Sequence, residues 1–235
     1  MTSHGRWIRM LLALSVGVFC GCKGQHPASP TTAKTQPAKA TSADGPRQAV
    51  KNMVGALTAG DREAFMDCFT GSADELKAPA VMFDMNEVQK AFRADFIKAY
   101  GQAGWDRFQN ESPGKANAKL RFPEDGLGNL DKIEFTVAGD AATAKKPDEK
   151  QELKLLRQAG VWRVEAASFI PPGADVKKFT DSMGRFAGLI ATYRKAIGAK
   201  GVKCEDIDYE LGRAIAKQMF GLEPREPHRF EIDKL

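Results

Sequence analysis

The hydrophobic period of this chain changes twice along its length, and those changes set the fold class. Between positions 50 and 100, apolar side chains recur at steps of three and four. They are Val50, Met53, Val54 and Leu57, then Phe65, Cys68 and Phe69, then Met85, Val88, Phe92, Phe96 and Tyr100. Such spacing keeps one stripe of a helix dry. From about position 119 the step becomes two. Leu120 and Phe122 alternate with Lys119 and Arg121, and Ile133, Phe135 and Val137 alternate with Lys132, Glu134 and Thr136. A period of two turns successive side chains to opposite faces of a strand. Past Pro171-Pro172-Gly173 the helical step returns. The predicted class is therefore α+β, with N-terminal helices packed on a curved, cone-like antiparallel sheet, followed by a C-terminal helical hairpin.

Turn chemistry places the joints. Pro46 suits the first turn of a helix, Gly60-Asp61 ends it and caps a short second one, and Asp84 with Glu87 has the spacing of a capping box for a third. Gly139-Asp140 predicts a hairpin into Ala141–Lys145. Leu153 and Leu155 alternate, and Ala159-Gly160 turns the chain into Val161–Phe169, where Trp162, Val164 and Ala166 share a face. In the long helix that follows, Val176, Phe179, Met183, Phe186, Ile190, Tyr193 and Ile197 fall at alternating steps of three and four. That is a coiled-coil-like seam. It is read as packing within the chain, with oligomer formation through the Val176–Ile197 helix as the alternative. Beyond Gly198 and Gly201, Ile207, Leu211, Ala214 and Ile215 line one side of a second helix, and residues 223–235 are read as a loose tail.

The start of the chain carries an address. Arg6 and Arg9 precede an uncharged apolar run from Met10 to Phe19, which Cys20-Gly21-Cys22 closes. This is the order of a secretory signal peptide. A run of about ten apolar residues is half of what a helix needs to cross a ~30 Å hydrocarbon core. The stretch Phe19-Cys20-Gly21-Cys22 resembles the lipobox of bacterial lipoproteins, although Phe19 and Cys20 depart from its usual residues. The resemblance implies cleavage after Gly21 and a lipid on the Cys22 thiol, and so a cell-envelope protein lipid-anchored to a bacterial membrane, periplasmic or on the outer face. Residues 22–45 are rich in Pro, Thr, Ala, Ser and Lys and cannot bury enough apolar surface to fold. As a coil they span on the order of 25 Å and, stretched, about 80 Å. Four parts follow from this reading. Residues 1–21 are the signal, 22–45 the tether, 46–172 the α+β domain and 173–222 the helical hairpin packed on it.

Charge and rare residues exclude several chemistries. Removing residues 1–21 takes away two arginines and no acid, lowering the formal charge from +5 to +3, too small a surplus to argue for nucleic acid. The basic residues Lys177, Lys178, Arg185, Arg194, Lys195, Lys200 and Lys203 read as a solvated helix face, with an acidic polymer or lipid as the alternative. The three histidines are His4, His26 and His228, placing none in the predicted folded part. Imidazole-based catalysis and the common zinc sites are thereby disfavoured, and no metal or cofactor is expected. Cys68 and Cys204 are read either as one disulfide, formed in an oxidising envelope, or as two separate buried thiols.

Three segments carry a second resemblance. These are Ala49-Val50-Lys51 with Ala59-Gly60-Asp61-Arg62-Glu63-Ala64-Phe65, the turn Val137-Ala138-Gly139-Asp140-Ala141-Ala142-Thr143-Ala144, and the strand Gly160-Val161-Trp162-Arg163-Val164. Together, over roughly residues 46–170, they resemble the nuclear transport factor 2-like superfamily, whose cone-shaped fold includes ketosteroid isomerase and the polyketide cyclases. The resemblance implies a pocket for a small apolar or amphipathic ligand, with Tyr100, Phe122, Phe135 and Trp162 as the large residues to line it. Each of these, taken singly, reads first as a core residue. No catalytic residue of the superfamily maps onto this chain, and Glu134 and Glu165 alternate with apolar neighbours and should face solvent. The expected function is a non-catalytic module that binds a small ligand or an envelope partner. The alternative is a histidine-free isomerase or dehydratase working in the cone.

Overall fold

The computed structural model describes residues 45–110, 130–145, 152–222 and 227–232. Among the described residues, five α-helices and a five-stranded mixed sheet make an α+β architecture. Helix α1 is Gly45–Ala59, and its stripe of Ala49, Val50, Met53, Ala56 and Leu57 is buried. Gly60, at φ 70°, reverses the backbone. Asp61 then caps α2 (Arg62–Asp67) by accepting the Ala64 N–H at 3.0 Å, as its side chain predicts. The end of α1 is closed from outside. Lys90 Nζ donates to Thr58 O at 3.0 Å and Leu57 O at 3.4 Å, a cation on the negative end of the helix.

Phe69, expected on the helical face with Cys68, begins a two-residue strand, β1 (Phe69–Thr70). It lies parallel to β5 (Val161–Glu165), with Phe69 opposite Val164, so the expected all-antiparallel sheet is corrected to a mixed one. Tertiary pairing overrides the helical spacing because Val164 N–H donates to Cys68 O at 2.8 Å. The other strands follow the turns read from the sequence. β2 (Glu134–Ala138), β3 (Ala141–Lys145), β4 (Glu152–Gln158) and β5 pair antiparallel in succession, giving the order β1-β5-β4-β3-β2. Register puts Val164, Leu155 and Ala142 in one row and Leu153, Ala144 and Phe135 in the next. The alanines keep this face shallow, and α1 lies across it with Val50, Met53 and Leu57 in the same buried cluster. Each fully buried Val or Leu contributes about 1.5–3 kcal/mol. The opposite face carries Glu134, Lys145 and Glu152 in one cross-strand row. There the Lys145–Glu152 pair at 3.5 Å is exposed and contributes little.

Helix α3 (Lys77–Asn110) is the spine. It starts earlier than the Asp84–Glu87 spacing predicts. The reciprocal cap is Ser72 with Glu75: Glu75 N–H donates to Ser72 Oγ at 3.3 Å, and Ser72 N–H donates to Glu75 Oε2 at 2.7 Å. Asp84 instead pairs with Arg62 at 3.2 Å. At Gly101, φ 73° and ψ 171° interrupt the helix, and the chain doubles back. An unbroken helix would hold Phe92 and Trp105 about 20 Å apart, whereas their ring centroids are 6.5 Å apart. Phe92, Phe96, Trp105 and Phe108 thus form one aromatic cluster.

Against this spine pack α4 (Val176–Arg194) and α5 (Cys204–Phe220). The α4 seam is used inside the chain: Phe179 and Met183 meet Ala78 and Met85, while Leu189 and Ile190 join Phe92, Phe96, Ile207 and Leu211. Of the tail, residues 227–232 are described, and they are packed rather than loose. Phe230 and Ile232 pack onto this helical cluster, with the Phe230 ring 6.3 Å from Tyr193. Among the described residues, no helix is long and apolar enough to cross a membrane.

Candidate functional site

The residues expected to line one pocket are divided by the fold. Phe135 and Trp162 share the inner sheet face, at opposite corners. Phe135 lies under the Arg47 guanidinium at 4.8 Å. Arg47 also donates to Leu130 O at 2.7 Å and Ile133 O at 3.3 Å. Trp162 lies 5.9 Å from Arg157, which is itself held by Asp140 at 2.8 Å. Tyr100 belongs to the helical cluster, where its hydroxyl donates to Val202 O at 3.2 Å and accepts from Gly198 N–H at 3.1 Å. It ties α3 to the α4–α5 connection. Phe122, Gly21 and Cys22 lie outside the described residues.

The two cysteines sit apart, Cys68 against the sheet core and Cys204 against the helical core, and both are free thiols. Burial, reinforced by the Asp67 carboxylate, pushes the Cys68 thiol up to about 11. Burial, with Glu205 beside it, also raises the Cys204 thiol. Neither favours the thiolate that nucleophilic chemistry needs.

The most developed polar constellation is one that the sequence reading missed. Glu210 lies on α5 within the stripe of Ile207, Leu211 and Ala214, and is 1% exposed. Its Oε1 accepts the Arg229 backbone N–H at 2.6 Å, its Oε2 meets His228 Nδ1 at 2.9 Å, and Arg213 Nε is 3.6 Å away. His228 Nε2 lies 3.3 Å from Arg213 Nη2. One tautomer serves both contacts, with Nδ1–H donating to Glu210 and Nε2 accepting from Arg213. The Arg229 guanidinium stacks 4.2 Å from the Tyr209 ring and reaches Asp206 at 3.5 Å. The folded part therefore does contain an imidazole, correcting the expectation drawn from histidine positions. The available signal was an acid at position 210 inside an apolar helical stripe, because an unpaired carboxylate is not left there.

A second set of buried polar groups lies on α3, on both sides of the break at Gly101. Asn86 and Gln89 are 1% and 3% exposed, and Asn86 Oδ1, Gln89 Oε1 and Gln109 Nε2 meet no hydrogen-bond partner. Arg93 lies 5.8 Å from the Trp105 ring. Reversal at Gly101 carries Gln109, one turn past Trp105, toward the turn of Gln89 and Asn86. Among the described residues, no group of acids, histidines and cysteines has the arrangement of a metal site. No protein family, curated protein or solved structure matches this chain.

Proposed function

We propose that this chain is a lipid-anchored protein of a bacterial cell envelope, whose α+β domain binds an envelope partner and carries out no chemistry. In this reading Cys22 bears the lipid, residues 22–45 are the tether, and the sheet with α1 across it forms a cone-like body resembling the nuclear transport factor 2-like superfamily. Helices α4 and α5 form the hairpin appended to it. The observation that carries the binding reading is the Glu210 cluster. The buried Glu210 carboxylate, Arg213 and Asp206 are all engaged in holding the chain at His228 and Arg229, a recognition task rather than a proton-transfer one. The packing of α1 over the inner sheet face favours a partner protein over a small ligand inside the cone.

Two measurements on the full chain in its native envelope test this. Intact mass should show a mature protein that begins at Cys22 and carries acyl chains, and the Cys22→Ser form should leave the membrane fraction. An unmodified amino terminus, or a Cys22→Ser protein that still sediments with lipid, refutes the anchor. Photo-crosslinking side chains placed at Lys217, on α5, and at Thr136, on the outer sheet face, should give a discrete adduct from at least one position. No adduct from either refutes partner binding.

A further inference from the structure

Formal charge is distributed unevenly along the chain. Residues 174–203, which form α4 and its connection to α5, hold seven basic residues and two acids, a net of +5. Residues 204–235 hold five basic residues and eight acids, a net of −3, and residues 46–173 come to −1. One helix and the turn after it therefore carry the positive excess of the body, beside a helix that is acidic. Both acids of the basic segment are already used. Asp175 caps α4 by accepting the Lys178 N–H at 2.7 Å, and Asp181 pairs with Lys177 at 2.7 Å. Arg194 is held by Asp95 at 2.6 Å. Among the described residues, no ion pair engages Lys178, Arg185, Lys195, Lys200 or Lys203, and all five are exposed.

Helical period puts these charges on one side. Lys178, Arg185 and Lys195 share the outward stripe of α4 with Gly184, Gly188 and Thr192, opposite the buried Phe179, Met183 and Ile190. Nothing lies within 4 Å of a Cβ added at Gly184 or Gly188, so the middle of the stripe is low and the long basic side chains reach past it. Tyr100 pins the connection through Gly198 and Val202, which holds Lys200 and Lys203 beyond the end of the same helix. Among the described residues, α4 exposes no large apolar side chain. Such a face suits a flat array of phosphate headgroups, which attracts basic side chains without demanding a shaped fit. That attraction fades beyond about 8 Å at physiological salt and is weak from free solution. A tether changes this. Residues 22–45 would keep the body within about 80 Å of the bilayer, and a short flexible linker raises the effective concentration to the order of millimolar. We infer that α4 docks its outward face on the anionic headgroups of the bilayer that holds the lipid, while repulsion keeps acidic α5 and the tail off that surface. This rests on the lipid-anchor reading above and adds which face meets the membrane.

The test uses the acylated protein purified from its envelope and added to two kinds of vesicle, phosphatidylcholine alone or phosphatidylcholine with an equal part of phosphatidylglycerol. A water-soluble acetylating reagent labels exposed lysines, and mass spectrometry reads the rate at each. On the anionic vesicles, Lys178, Lys195 and Lys200 should be acetylated roughly five-fold more slowly than on the neutral ones, as headgroup contact requires. Lys154, on β4, and Lys217, on α5, should be unchanged. The difference should vanish in about 1 M sodium chloride, where the Debye length is about 3 Å. The Lys178→Glu, Arg185→Glu, Lys195→Glu triple variant changes only exposed side chains, so it should keep the parent circular dichroism and still sediment with both vesicles. Its Lys200 should lose the protection. Equal labelling of Lys178, Lys195 and Lys200 on the two vesicles overturns the docking, as does protection that extends equally to Lys154 and Lys217 or survives in the triple variant. Protection by a soluble acidic polysaccharide but not by vesicles also overturns it, assigning the face to an acidic polymer. Sedimentation with both vesicles but no protection sinks the docking alone, whereas a protein that carries no acyl chain and stays off neutral vesicles sinks the anchor reading itself.

Discussion

Gly101 and Gly188 are both written into helical stretches, yet they have opposite roles. Gly101 holds φ 73° and ψ 171°, a region essentially closed to residues with a Cβ, so Gly101→Ala should cost about 1–3 kcal/mol. Gly188 has helical neighbours, and nothing lies within 4 Å of an added Cβ. Gly188→Ala should therefore stabilise by about 0.5–1 kcal/mol through reduced backbone entropy. Urea unfolding of the two variants checks this pair, and midpoints that move in the same direction would refute it. Cys68 adds a pH dependence. Its folded thiol titrates near 11 and an unfolded thiol near 8.5, so above about pH 8.5 the unfolded chain releases a proton that the folded chain retains. Stability should fall from there to about pH 11. Melting scans across that window should show a smaller drop for Cys68→Ala, and identical slopes would exclude the assignment.

At the scale of elements, α1 and α2 were legible because their caps are local: Gly60 and Asp61 act on neighbours within one turn. The β2–β3 and β4–β5 hairpins were legible for the same reason, through Gly139-Asp140 and Ala159-Gly160. Strand β1 was not, because Phe69 keeps helical spacing with Phe65 and only Val164 across the sheet draws it into a strand. The return of α3 was equally hidden, since the partner of Phe92 is Trp105 beyond the break at Gly101. The buried amides on α3 permit a direct prediction. Replacing an unpartnered buried acceptor with an apolar group of similar shape removes a desolvation penalty of about 1–3 kcal/mol. Gln89→Met should therefore raise the urea midpoint. A fall instead would show that solvent or a ligand serves Gln89 Oε1.

Over the whole molecule, one helix joins two apolar clusters. α3 places Phe83 against the sheet and Phe92 and Phe96 against α4 and α5, so neither cluster is complete without it. Phe92→Ala should cost about 3–5 kcal/mol and lower a single unfolding transition reported alike by tryptophan fluorescence and far-ultraviolet circular dichroism. Separate transitions for the two probes would show that the clusters unfold independently. The Glu210 cluster belongs to this scale as well. In the sequence, Glu210 offers only the signal of an acid in an apolar stripe, because the groups that satisfy it come from a segment 18 and 19 residues away. Tyr100, by contrast, was grouped with Phe135 and Trp162 on size alone, and the fold assigns it to the other cluster.

The amino-acid sequence alone determined the α+β class, most helix and hairpin joints and the stripe that each helix buries. These follow from side-chain period and turn chemistry, which act over a few residues. Tertiary structure decided the parallel β1 pairing, the doubling back of α3 and the docking of residues 227–232 on Glu210. Each depends on contacts between residues whose separation along the chain carries no local signal, and only the burial of distant apolar and charged groups together selects them.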